Sequence, residues 1–327
     1  MIKIGSYKID TDIIMAPLAG CTDLPFRLIA REHGAKFCFY EMLDANSLTH
    51  RTRTCRFILK TDPKDTPVAA QLLGNDPSVM LDAAQILLSI TPSPFLDINF
   101  ACPARKVIKK KAGGYLVKDE KALSEILKKL SKNLPIPITV KLRTGFDRRD
   151  EEHMANIAKS CEDSGAKAIF VHGRSVKQGY SGDVDYDMIR VIKNSVSIPV
   201  VGVGNVFSGE SAKLMFDRTG CDGICVARGA LGNPWIFEEI DSYLKDGKTL
   251  SGPTIKSRIA VAKKHLRYMQ EYLELDKKRV VGPMRKVAIW YMKQFESARI
   301  ARSSITRAKT AEAIIDIVND LEKISLP

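Results

Sequence analysis

Between residues 13 and 243 the chain repeats one pattern, a short apolar run followed by a longer amphipathic stretch. The apolar runs fall at 13–17, 37–40, 68–72, 96–100, 138–142, 169–172, 200–203 and 223–226. Short apolar runs alternating with longer amphipathic ones predict strands alternating with helices. Helical periods cover 25–33, 78–89, 120–132, 150–164, 187–194 and 208–218, several with Pro or Ser near the start and Gly just past the end. Eight strand–helix units predict a closed (β/α)8 TIM barrel over residues 1–243. An open Rossmann-like sheet is the lesser alternative, because no Gly-x-Gly-x-x-Gly follows the first run.

Past residue 243 the grammar changes. Residues 244–254 read as a connector rich in Gly, Pro and Ser, and residues 255–327 show helical periods with no convincing strand, predicting a C-terminal all-helical domain. The 327-residue chain carries 51 Lys and Arg against 38 Asp and Glu, and residues 244–327 hold 18 of those bases against 9 acids. Positive charge concentrated in a helical tail points to a polyanion such as a nucleic acid backbone, with Lys277, Lys278, Arg279, Arg285, Lys286, Arg299, Arg302 and Arg307 as candidate contacts. The bland alternative is a solvated helical surface. Seven scattered cysteines without a C-x-x-C pair read as reduced thiols in a cytoplasm, and no metal is expected. Charges interrupt the first twenty residues and recur throughout the chain, and the longest apolar runs stop far short of a membrane span, so neither an export signal nor a membrane partner is expected. The oligomeric state is left open, a monomer being compatible.

In a barrel the reacting groups sit at the C-terminal ends of the strands. Here those ends deliver Pro17, Leu18 and Ala19, then Gln71, then Asn99 with Cys102 and Pro103. Lys141 and Arg143 follow on the fifth run, His172 and Arg174 after the sixth, Val203-Gly204-Asn205 after the seventh and Ala227-Arg228-Gly229 after the eighth. Glycine loops after the last two strands suit a phosphate held by backbone N–H groups, with Arg228 adding charge. A phosphate there, with small residues and Gln71 opposite, suits an elongated cofactor such as FMN. Lys141 could equally face water and His172 could be a satisfied core histidine. A lone cysteine is most often a small buried hydrophobe, but Cys102, in a loop beyond a strand, is a candidate acid or nucleophile.

Taken together, MAPLAGCTDLPFR (15–27), QLLG (71–74), DINFACPARKV (97–107), KAGGYL (111–116), VKLRTGF (140–146), VHGRSVKQGYSG (171–182), ARGALGNPWIF (227–237) and RKVAIWYMKQF (285–295) resemble the tRNA-dihydrouridine synthase family, leaning toward its bacterial B-type subfamily. The resemblance implies an FMN enzyme that uses NADPH to reduce specific tRNA uridines. Hydride would pass from flavin N5 to C6 of the uracil and a proton from Cys102 to C5. It further implies that Pro17, Leu18, Ala19, Gln71, Lys141 and His172 line the flavin, that Gly204, Asn205, Ala227 and Arg228 hold its phosphate, and that Val203 is a further cofactor contact. Asn99 and Arg174 would attend the substrate, and Arg285, Lys286, Arg299 and Arg302 its backbone. Two positions depart from the family pattern: Val203-Gly204-Asn205 stands for Asn-Gly-Asp, and Arg285-Lys286-Val287 for Arg-Lys-His. Two rivals remain, a flavin barrel acting on a free pyrimidine, like a dihydroorotate dehydrogenase, and a non-catalytic tRNA-binding protein. The basic tail speaks against the first, and Cys102 with Lys141 against the second.

Overall fold

The computed structural model describes residues 1–273, 279–292 and 298–324. Lys277 and Lys278 lie outside the described residues. Eight barrel strands follow in chain order: β1 (Ile13–Met15), β2 (Cys38–Phe39), β3 (Val68–Leu73), β4 (Leu96–Asn99), β5 (Ile138–Arg143), β6 (Ala166–His172), β7 (Val200–Val203) and β8 (Gly223–Val226). From β2 onward each pairs in parallel with the next, and β8 pairs with β1. The ring closes where the Met15 N–H donates to the Phe37 carbonyl at 2.9 Å. The (β/α)8 expectation therefore holds.

Helix starts follow local chemistry. Asp23, Asp76, Asp119, Asp150 and Asp185 each accept backbone N–H bonds in the first turn of a barrel helix, satisfying donors that the helix itself leaves free. The last barrel helix, Ile236–Asp246, runs past residue 243 and stops at Gly247 in the left-handed conformation (φ 66°).

Inside the ring Ile14, Phe39, Ala69, Phe170, Val201 and Cys225 fill the lower barrel. Phe37 and Phe95 stack there, 5.5 Å apart and 3° from parallel. An element not expected from the sequence closes the floor. Ile2–Ile4 and Tyr7–Ile9 form an antiparallel hairpin turned at Gly5, and its Ile2, Ile4 and Ile9 join the same cluster. The hairpin seats on β8 so closely that a Cβ on Gly223 would lie 2.4 Å from Ile2 Cδ1. With the lower half packed solid, the C-terminal end of the strands is left for a ligand.

The tail forms helices Ile255–Tyr272, Val281–Tyr291, Ala298–Arg307 and Ala311–Ile324. It is docked, not tethered. Phe26 of the first barrel helix meets His265 and Trp290 edge-on at 5.9 and 6.0 Å, and His265 Nδ1 lies 3.1 Å from the Tyr291 hydroxyl. Gly232, at φ 70°, makes room for the Trp290 carbonyl, which would stand 2.4 Å from a Cβ there. Apolar residues of barrel shell and tail thus form one continuous core. No helix among the described residues is long and apolar enough to cross a membrane.

Candidate active site

The upper barrel opens into a cleft of about 850 Å³, its open mouth included. Pro17, Leu18 and Ala19 form one wall, Gln71, Asn99 and Lys141 the floor, and Cys102 a shoulder; His172, Val203, Gly204, Asn205, Ala227 and Arg228 complete it. Every cofactor-lining residue expected from the sequence is therefore brought to one cavity, as are Asn99 and Cys102. Arg174 is not in the lining. It is 3% exposed and stands behind the wall, donating to the Ser181 and Gly182 carbonyls and, at 2.9 Å, to Asn205 Oδ1. Its role here is to buttress the β7 loop.

The floor is an ordered chain of amides. Gln71 Nε2 donates to Asp97 Oδ2 at 2.7 Å, and Asn99 Nδ2 donates to Gln71 Oε1 at 2.7 Å. Asn99 Oδ1 in turn accepts the backbone N–H groups of Ala101 (3.0 Å) and Cys102 (2.8 Å). At the far end the Thr139 hydroxyl donates to Asp97 Oδ1 at 2.7 Å. Burial raises the Asp97 carboxyl to about 6, against the pull of the Thr139 and Gln71 bonds and of the Lys141 charge. Cys102 is pinned a second time where its carbonyl accepts the Gly114 N–H at 3.0 Å. A Cβ at Gly113 or Gly114 would lie 3.1 Å from that carbonyl oxygen, which is why two glycines follow in the motif. Cys102 is half-buried and lines the cleft, and Cys225, fully buried, closes its bottom, where burial pushes its thiol up to about 12.

The cleft is cationic. Lys141, Arg143 and Arg228 line it, and among the described residues no Asp or Glu does. Burial lowers the Lys141 ammonium from its ordinary range, so an anionic ligand would be the natural partner of this charge. His172 is held down to about 2 by burial and then by Arg143, Lys141, Arg174 and Arg228, and so presents a neutral imidazole at physiological pH. Gly204 (φ 132°) and Asn205 (φ 53°) take positive-φ conformations at the end of β7. The β7 and β8 loops touch so closely that a Cβ on Gly229 would sit 2.2 Å from the Val206 carbonyl oxygen. Gly229→Ala should therefore cost about 1–3 kcal/mol of stability, read as a lowered Tm together with weakened ligand retention.

Several residues of the site gained no role from the sequence. Arg143 is 2% exposed and ties the mouth together by donating to the carbonyls of Ala101, Ser175 and Gly179. Tyr180 and Phe207 remain more than half exposed at the rim, with the Arg228 guanidinium 5.1 and 6.0 Å from their ring centres. Met42 and Phe207 carried only a generic apolar signal, and Tyr180, though inside the motif at 171–182, was given no role of its own. Asp97 sat within a quoted motif but offered nothing to separate it from its neighbours.

In the tail, two of the expected backbone contacts have other partners. The Arg285 guanidinium donates to the Ala308 carbonyl, with Nε at 2.7 Å. The Lys286 ammonium donates to the Gly20 carbonyl and lies 5.3 Å from the centre of the Trp290 ring. Both therefore serve internal joints, within the tail and between tail and barrel. Arg299 and Arg307 are exposed, and Arg302 is half-buried.

A closed (β/α)8 barrel with a cationic cleft at the strand ends has the architecture of a barrel enzyme. The chain shares that fold with the old yellow enzyme from Trypanosoma cruzi (TM-score 0.56, 11% identity, 79% of this chain and 94% of that one). An old yellow enzyme homologue from Zymomonas mobilis is similarly alike (TM-score 0.53, 13% identity, 79% and 94%). Sequence narrows the class further. Residues 14–324 match the family model described as Dihydrouridine synthase (Dus), and the chain belongs to that family. It is 36% identical over 313 residues to tRNA-dihydrouridine synthase B of Pseudomonas aeruginosa, covering 96% of this chain and 93% of the relative. To the protein of the same name from Vibrio parahaemolyticus it is 35% identical over 317 residues (96% and 97%).

Proposed function

We propose that the protein reduces uridines of tRNA to 5,6-dihydrouridine in the cytoplasm, with FMN in the barrel cleft and NADPH as reductant. The observation that carries this reading is the Cys102 thiol, on a loop whose backbone is fixed by Asn99 and Gly114 at the edge of a cleft with a cationic lining.

The residues fit the cofactor. Phosphate charge would meet Arg228 and the backbone of the Gly204-Asn205 and Ala227-Arg228 loops, where the glycines allow close approach. Behind the Gly204-Asn205 loop the buried Arg174, bonded to Asn205, adds positive charge to the same end. Gln71, Lys141 and the neutral His172 would face the ring, with Pro17, Leu18 and Ala19 packed along it. Bound there, FMN would supply two-electron chemistry, taking hydride from the nicotinamide and giving it to C6 of the uracil. Cys102 would hold the proton destined for C5, and Asn99 would orient the base. A stacked base cannot reach a cleft at this depth, so the target uridine must be turned out of the RNA. Exposed bases of the tail, Arg299 and Arg307 among them, would hold the backbone while the barrel does the chemistry.

Two experiments test the reading. RNA mass spectrometry of host tRNA should show that disrupting the gene removes the two-hydrogen mass gain at defined uridines; in a host without a redundant relative, unchanged dihydrouridine would overturn it. Purified protein should be yellow and release FMN on denaturation. Lys141→Ala removes the charge expected beside the ring, so weaker flavin retention or slower flavin reduction is expected. Unchanged flavin content and rates would make Lys141 a bystander.

A further inference from the structure

We infer that Asp97, which lines no part of the cleft, is a positioning residue for Cys102. It fixes the direction in which the whole amide chain donates. The inference rests on the proposed reaction for one of its two readouts. Gln71 and Asn99 can each face either way, because a carboxamide has a donor end and an acceptor end of the same shape. What decides between the two directions is whatever lies at the ends of the chain.

Here both ends agree. The N–H groups of Ala101 and Cys102 demand an acceptor, so Asn99 must give them its oxygen, and its Nδ2 then faces Gln71. Gln71 must receive with Oε1, which leaves its Nε2 to find an acceptor on the other side. Asp97 is 1% exposed, and the Thr139 hydroxyl that donates to it turns its remaining oxygen toward Gln71. In that surrounding a carboxylate accepts from both neighbours and never competes as a donor. The strand register brings the parts together: Asp97 pairs with Gln71 and with Thr139, and Asn99 with Lys141. Four side chains on three adjacent strands thus transmit one instruction from the packed barrel to the backbone of the Cys102 loop. Buried networks of this kind hold their geometry only while every member is matched.

Asp97→Asn keeps the shape and removes the instruction. The new carboxamide at position 97 can face Gln71 with either end, so the direction is held only by the Ala101 and Cys102 N–H groups; where it offers its amide to Gln71 Oε1, Gln71 offers an amide to Asn99, and Asn99 turns N–H groups toward the N–H groups of residues 101 and 102. The Cys102 loop is then left without its acceptor. A misplacement of this order is expected to lower the rate of uridine reduction per bound flavin by about 10- to 100-fold at saturating tRNA. KM for tRNA should stay near the parent value. Alkylation of Cys102 by iodoacetamide should change several-fold, while alkylation of Cys21, which lies outside the amide chain, should not.

Adding Gln71→Glu restores the direction, because a carboxylate at position 71 accepts from the amides on both sides of it. The double variant should therefore return Cys102 alkylation toward the parent rate, and its loss of turnover should be smaller than the product of the two single losses. The inference is overturned if Asp97→Asn leaves both alkylation and turnover unchanged, or if the two single losses simply multiply. Should Asp97→Asn fail to fold, the double variant must fold and show parental Cys102 alkylation; its failure overturns the inference as well. The alkylation arm uses no RNA, so it still decides the point if the parent protein proves not to reduce tRNA.

Discussion

Cys102→Ala should give a protein that is still yellow and still oxidises NADPH but reduces tRNA uridine about 10²–10⁴-fold more slowly, the usual worth of a positioned general acid. The thiol is not a packing element whose loss would collapse the barrel. It is half-exposed to the cleft, and its loop is held through backbone atoms, by Asn99 on the N–H and Gly114 on the carbonyl. Alanine keeps both bonds. Flavin content, the absorption spectrum and the rate of flavin reduction by NADPH should therefore match the parent, and only re-oxidation by tRNA should fail. Cys102→Ser, with a far weaker acid in the same place, should fall nearer to alanine than to the parent. Parental turnover in the alanine variant would remove Cys102 from the mechanism.

The second large effect is expected in the tail. Reversing Arg299 and Arg307 to glutamate should weaken tRNA binding roughly tenfold or more and make its salt dependence shallower by about 0.7–0.9 log units for each phosphate no longer neutralised. Both residues are exposed, so the substitutions should cost little stability. Arg285 and Lys286 are the wrong residues for this experiment. They hold the Ala308 and Gly20 carbonyls, and reversing them would disturb tail packing and the barrel joint together. The flavin spectrum should be unchanged in the Arg299 and Arg307 variant. Parental affinity and an unaltered salt slope would leave tRNA recognition to the barrel.

These two cases show how much was legible in the sequence. Strands such as Val200–Val203 declare themselves because burial on both faces leaves no room for polar residues. The cleft followed from the ends of those strands, since topology brings them to one place whatever the chemistry. Direction and pairing were not legible. Charge counts could not tell Arg285, spent on a carbonyl, from exposed Arg299. His172 lies on the cleft as expected, but nothing in His-Gly-Arg set Arg174 apart as bracing the wall behind it. The N-terminal hairpin was missed although IKI and YKI alternate around a glycine, because three-residue strands carry too little pattern to weigh against a loop. Asp97 stands in an apolar run, where period and propensity carry no information about what a carboxylate accepts.

The hairpin that seals the barrel floor has a consequence for the order of events in turnover. With Ile2, Ile4 and Ile9 packed beneath the phenylalanine layer, the described residues leave no rear entrance. In the proposed reaction a dinucleotide reductant and a folded RNA would therefore share one doorway, and an RNA lying across it would exclude the smaller visitor. Turnover should divide into two half-reactions separated in time, with parallel lines in double-reciprocal plots and inhibition by excess tRNA that competes with the nicotinamide. Intersecting lines would mean that both partners are admitted at once.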